Sequence, residues 1–216
     1  MLPESYFKSY FNYEELKNKR CISNDRDKKN VYVENIYGLT CYIKKYRSYG
    51  RRKIPIAFGL KKDPVVHYKY ISNKLNKIHI PHAKALATSI NKTSFFERES
   101  LYVTEKAGIH MHECGYTKEL LQTFFDYFLI ILKNKIYPTD YNTDGALLNS
   151  EGELVLIDLD AYKRKLYRTK KFKKYVFIKF KNNFYKDFKE ELREEFLGYK
   201  KMIDYNLESV KKELNI

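Results

Sequence analysis

The stretch IYPTDYNTDGALLNSEGELVLIDLDAY, residues 136–162, predicts a hairpin with a carboxylate at each end. Asp140 sits in a polar turn after an apolar helix. A short hydrophobic run (Ala146, Leu147, Leu148), an Asn-Ser-Glu-Gly turn and a strand from Glu153 to Ile157 then lead to Asp158. Phosphoryl transfer from a nucleotide uses such a pair: one Asp near the acceptor hydroxyl, and another at the end of the following strand to hold Mg²⁺ on the phosphates. A strand apolar on both faces predicts a buried Asp158, and a lone buried carboxylate is costly. The competing role for Asp158 is to cap local backbone amides. Asp140 lies in a Pro-Thr-Asp-Tyr-Asn-Thr-Asp-Gly string that is also sound turn chemistry, so a plain turn role competes there too.

The elements that must position these residues follow from periodicity. Val31 to Glu34 and Leu39 to Tyr46 are alternating or β-branched and aromatic runs, and Gly38 suits the positive-φ place of the turn between them. Pro64 to Lys77 has near-helical apolar spacing, with Pro64 in the first turn and Pro81 beyond the end. Ala83 to Ile90 and Ser100 to Lys106 read as two further strands. After Gly108, Leu120, Leu121, Phe124, Phe125, Phe128, Leu129 and Leu132 form the broad stripe of a buried helix reaching about Asn134; these rings are core, not a base-stacking platform. Lys163 to Lys181 holds ten cationic residues and no Asp or Glu. Phe184 to Leu214 alternates charges like a solvated helix face. The expected division is a β-rich lobe over 1–107, with one helix at about 64–78, and a mainly helical lobe over 108–216.

At 216 residues and 44% hydrophobic content the chain is long enough for a real core, and its formal net charge of +15 attracts phosphate-rich partners at long range. Cys21, Cys41 and Cys114 form no CxxC pair or even framework, which predicts a reducing compartment without disulfides. The longest apolar run, Phe128 to Leu132, is far short of a membrane span, and the start has no signal-peptide pattern. A cytoplasmic location is expected, peripheral on the inner membrane if the basic run docks there. His110-x-His112-x-Cys114 has alternation that would suit a metal on a strand, but no second cluster completes it, and a solvated loop is the better reading.

The order hairpin, lysine-bearing strand (Tyr42-Ile43-Lys44-Lys45-Tyr46), helix, two strands, connector, buried helix and Asp140–Asp158 hairpin is that of an α+β, bilobal, protein-kinase-like fold. IKKYR, Ile80-Pro81 with Ala85-Leu86, YVTE at 102–105, GELVLIDLD at 152–160 and FLGY at 196–199 resemble the lipopolysaccharide core kinases. These are the Kdo/WaaP family of small bacterial kinase-like proteins, toluene-tolerance types included. The resemblance covers about Val31 to Tyr199 and is most specific over Tyr137 to Asp160. It implies that Lys44, with Lys45 as the alternative, pairs with the phosphates of ATP beneath a loop holding Gly38. It further implies that Glu105 lies where the adenine is met, Asp140 is the catalytic-loop aspartate and Asp158 binds Mg²⁺. The implied acceptor is a Kdo or heptose hydroxyl on an acidic, lipid-linked sugar.

Three departures stand against turnover. The place of the second metal ligand, five residues after Asp140, is Gly145, which leaves Asp144 or Asn142 to supply an oxygen. The helix at 64–80 has no Asp or Glu to orient the lysine, and the nucleotide-covering loop has Gly38 alone. A catalytically impaired binding module of the same fold is therefore the second expectation. The aromatic-basic run Lys163 to Lys181 fits an anionic membrane surface, where each nearby cation contributes about 1 kcal/mol. Nucleic acid ranks last as a partner, because no nucleic-acid motif is present.

Overall fold

The computed structural model describes residues 9–25, 28–48, 50–164, 168–188 and 193–216. The chain packs as two units, Met1–Tyr70 with Ala83–Lys106, and Ile71–His82 with Ala107–Ile216. The division thus falls inside one helix and again after Lys106.

In the first unit a short helix α1 (Tyr13–Leu16), capped by the Asn12 side chain, precedes strands β1 (Cys21–Asp25), β2 (Lys29–Ile36) and β3 (Leu39–Arg47). Helices α2 (Lys53–Ala57) and α3 (Pro64–Lys77) and strands β4 (Ala85–Lys92) and β5 (Arg98–Glu105) follow. The strands form one antiparallel sheet in the order β1-β2-β3-β5-β4. Ile36 pairs with Leu39, so the β2–β3 turn has only Tyr37 and Gly38 at its centre, both at positive φ (52° and 82°). That is the mirror-type turn whose twist matches a hairpin, and Gly38 adopts it freely. Strand alternation splits the sheet into two faces. Tyr32, Ile36, Cys41, Ile43, Leu101 and Val103 are buried on one, beneath Tyr10, Phe11 and Leu16. Tyr42, Lys44, Tyr46 and Tyr102 lie on the other, where Tyr68 of α3 stacks on Tyr102 at 4.0 Å between ring centroids. Asp63 starts α3 by accepting from the Val65 amide at 3.0 Å. Strand β1 is exposed along its whole length, so no apolar pattern announces it.

In the second unit, β6 (Ile109–His110) and α4 (Lys118–Lys133) precede β7 (Ile136–Pro138), β8 (Ala146–Leu148), β9 (Leu154–Leu156) and β10 (Tyr162–Arg164), then α5 (Lys170–Phe188) and α6 (Arg193–Leu214). Thr117 caps α4, and Leu121, Phe124, Phe125, Phe128, Ile131 and Leu132 are its buried face. Phe180 and Phe184 of α5 close on them, with Phe128 and Phe180 stacked at 4.0 Å. The basic run is therefore largely a helix with a buried aromatic edge. The expected helical region over 184–214 falls on α5 and α6, and helix already begins at Lys170, because Val176, Phe177, Phe180 and Phe184 recur at helical spacing among the lysines. Lys165, Leu166 and Tyr167 of the run lie outside the described residues, as do the side chains of Phe196 and Leu197 in the FLGY motif.

Candidate active site

The loop between β7 and β8 is anchored by alternate residues. Tyr141 and Thr143 are buried: the Tyr141 hydroxyl donates to the Phe124 carbonyl at 2.8 Å, and the Tyr116 hydroxyl to Thr143 Oγ1 at 3.3 Å. Burial, then the nearby Tyr162 and Tyr127, pushes the Tyr141 phenol well above its usual range, so it stays a donor. Asp140 and Asp144, the residues between the anchors, are exposed. One element holds the rear of the loop while its carboxylates face outward.

Two backbone rungs bracket Asp158. On its N-terminal side the Ile157 amide donates to Gly145 O at 2.9 Å, continuing the β8–β9 pairing of Ala146 with Leu156. On its C-terminal side the Thr139 amide and hydroxyl both donate to Ala161 O, at 3.0 and 2.9 Å, where β7 pairs with β10. Asp140 follows one rung and Asp144 precedes the other, so the topology brings these residues and Asp158 to adjoining loops. Asp158 itself is exposed, which corrects the expectation of a buried carboxylate: β9 ends at Leu156, two residues short of it. Its backbone is left-handed, φ 56° and ψ 43°, and its side chain does not cap the turn that follows. A non-glycine residue held there costs on the order of 1–3 kcal/mol, and such strain gathers at functional sites.

Asn142 and Gly145 are bound to each other. Asn142 Oδ1 accepts from the Gly145 amide at 2.8 Å, and a Cβ on Gly145 would stand 3.1 Å from that oxygen. Asp144 is flanked by histidines: its carbonyl accepts from His110 Nδ1 at 3.2 Å, and its carboxylate lies 3.4 Å from His112 Nδ1. The two imidazoles stack at 5.4 Å, while Cys114 is exposed. Among the described residues no three His, Cys, Asp or Glu side chains gather to hold a metal. Mg²⁺ on a nucleotide asks for less, one or two carboxylates beside water and phosphate oxygens. The outward carboxylates of Asp144 and Asp158 fit that requirement. Asn142 fits it less well, since its oxygen already accepts from Gly145.

In the first unit the adjacent lysines point to opposite faces. Lys45 is buried beside Cys41 and Ile43, 3.3 Å from Glu99 Oε2, and its ammonium lies 5.6 Å from the Phe11 ring centroid. Burial lowers the Lys45 pKa from its usual 10.5, against the opposing pull of Glu99. Lys44 is on the other face, half-exposed, with its ammonium 6.0 Å from the centroid of Tyr102, the ring on which Tyr68 stacks. Glu105 is exposed at the end of β5, opposite Cys41.

The sequence reading missed Asn183. From α5 its amide donates to Asp140 Oδ1 at 2.9 Å, the same oxygen that Asn142 Nδ2 approaches at 3.4 Å. No local signal marks it, because it lies 43 residues away inside a lysine-rich helix.

No protein-family model matches the chain, and no curated protein matches it. Among solved structures the chain is similar to WaaP in complex with acyl carrier protein, at 13% identity over 99% of this chain and 98% of that one, with a TM-score of 0.52. A MAP kinase of Leishmania major, LmaMPK10, matches 79% of this chain and 54% of its own at 14% identity and a TM-score of 0.47. An identity this low speaks for the fold alone. The chain has the α+β, protein-kinase-like fold of WaaP, its antiparallel sheet N-terminal and its helices C-terminal.

Proposed function

We propose that the protein is an ATP-dependent phosphotransferase whose acceptor is a sugar hydroxyl of an acidic, lipid-linked glycan, the Kdo or heptose of a lipopolysaccharide inner core. The observation that carries this reading is the left-handed Asp158 held between two backbone rungs beside Asp140 and Asp144. In it Asp158, with Asp144, holds Mg²⁺, which when bound neutralises phosphate charge. Lys44 pairs with the phosphates under the Gly38 turn, and Glu105 lies toward the adenine. Asp140, oriented by Asn183, accepts a hydrogen bond from the acceptor hydroxyl and takes its proton as the hydroxyl oxygen bonds to the γ-phosphorus of ATP, whose bond to the β,γ-bridging oxygen breaks to release ADP.

The lipid-linked acceptor is supported by the resemblance of the motifs and by WaaP having acyl carrier protein as its partner. No described helix is long and apolar enough to cross a membrane. Helix α5 instead exposes Lys171, Lys174, Tyr175, Ile178 and Lys179, a mixture suited to lying on an anionic surface at the cytoplasmic face. A second reading, a nucleotide-binding module without turnover, is favoured by one observation: the place of the second metal ligand is Gly145, and Asn142 is spent on its amide.

Thermal melting with and without ATP and Mg²⁺ tests the first step. The expected result is a Mg²⁺-dependent rise in melting temperature that Asp158→Ala abolishes. Absence of the rise, or its survival in Asp158→Ala, sinks the kinase reading. A rise without transfer to lipopolysaccharide core acceptors selects the binding module.

A further inference from the structure

Five large apolar side chains stand out at two turns of the first unit. Ile54, Phe58 and Leu60 belong to α2 and the turn after it, and Phe95 and Phe96 to the β4–β5 turn; their exposures are 54%, 60%, 82%, 60% and 45%. The three phenylalanines pack edge-to-face on one another, with centroids 4.9 to 6.3 Å apart. Isolated exposed apolar residues are ordinary, but a contiguous aromatic cluster marks a contact surface.

The cluster is built rather than frayed. Gly59, at φ +69°, turns the chain out of α2, and the Lys61 amide donates to Pro55 O at 2.8 Å. The neighbouring turn is closed by the Glu97 amide on Ser94 Oγ at 3.1 Å. The two turns are tied together by Lys53 Nζ on Glu97 Oε1 at 2.5 Å and by Arg98 Nη2 on Ala57 O at 3.3 Å. The polar bonds therefore fix the backbone that holds the rings outward.

Charge identifies the occupant. Residues 51–62 and 92–98 contain seven Lys and Arg; the exposed ones include Arg51, Lys61, Lys62 and Lys92. Their one carboxylate is Glu97, which is paired with Lys53. A second copy of this chain would bring two such rims of like charge together. A bilayer needs no shape complement to rings at turn tips, accepts Phe and Leu at the acyl boundary and offers phosphates to the surrounding cations. We propose that Phe58, Leu60, Phe95 and Phe96 insert into the interface of an anionic lipid bilayer, with the rim of Lys and Arg on its headgroups. This surface is separate from α5 and does not depend on phosphoryl transfer.

The chain has no Trp. Phe95→Trp therefore gives a single reporter, to be mixed with phosphatidylcholine vesicles with and without phosphatidylglycerol. Blue-shifted emission, quenched by brominated acyl chains, is expected only with the anionic vesicles. In co-sedimentation the combined Phe58→Ser, Leu60→Ser, Phe95→Ser and Phe96→Ser variant should bind such vesicles at least about a hundredfold more weakly. Its melting temperature and its response to ATP and Mg²⁺ should match the unaltered protein, which separates this test from that of the kinase reading. Unchanged emission, no vesicle binding by the unaltered protein, or unaltered binding by the serine variant overturns the proposal. So does loss of binding in Lys171→Glu with Lys174→Glu but not in the serine variant. A dimer that the serine substitutions turn to monomer also overturns it, making the cluster a self-interface.

Discussion

A single hydrogen bond, from the Asn183 amide to Asp140 Oδ1 at 2.9 Å, is the contact best able to aim the proposed base. Both side chains sit at the surface, so removing the amide should leave the core untouched. Asn183→Ala should lower kcat about tenfold, the worth of one hydrogen bond to a charged group, while stabilisation by ATP and Mg²⁺ stays unchanged. Steady-state transfer beside thermal melting checks this, and an unaltered kcat would remove Asn183 from the site. Asp140, Asp144 and Asp158 were legible from the sequence because residue type and order carry them. Asn183 was not, because a contact across 43 residues leaves no trace in local spacing.

At the scale of the element, β3 explains why two adjacent lysines differ. Alternation turns Lys45 into the buried face with Glu99 and Lys44 toward Tyr102, a difference that adjacency in sequence cannot rank. Lys45→Ala should destabilise the fold by about 3 kcal/mol, since Glu99 then lacks this buried cation, whereas replacing the pair together by Lys45→Met and Glu99→Leu should cost less. Both variants should keep the response to ATP and Mg²⁺, and Lys44→Ala should lose most of it; urea titration and thermal melting read the two effects. The pH dependence has a definite sign. The folded Lys45 releases its proton before the unfolded one does, so the unfolded state binds more protons just below 10.5, and stability gains from this group as pH rises through that window. Gly108 shows a second kind of constraint. At φ +155° its Cβ would meet the Leu148 carbonyl oxygen at 1.9 Å, so Gly108→Ala should cost about 3 kcal/mol in urea unfolding, against about 1 kcal/mol for Gly152→Ala, which has open space.

At the scale of the whole molecule, the net charge of +15 decides which surfaces the protein approaches. If α5 lies on an anionic bilayer, Lys171→Glu with Lys174→Glu should weaken binding to phosphatidylglycerol vesicles at least about tenfold at low salt, and the difference should shrink as salt is raised. Co-sedimentation across a salt series measures it, and a salt-independent or absent effect would take α5 out of the contact. The apolar stripe of α4 was plain in the sequence because its period survives on one face. That of α5 was masked, since lysines fill the positions between Val176, Phe180 and Phe184 and the charge outweighs the period.

By itself the sequence determined the order of the main elements from β2 to the Asp140–Asp158 hairpin and which carboxylates that hairpin carries, because periodicity and turn chemistry are local properties of the chain. Only the tertiary structure decided that Asp158 is exposed on a left-handed backbone, that Lys45 is a buried partner of Glu99, and that Asn183 reaches Asp140. It alone also gathers Phe58, Phe95 and Phe96 into one surface. Burial, handedness and contact between distant residues depend on what the rest of the chain packs against each position, and no window of sequence contains that.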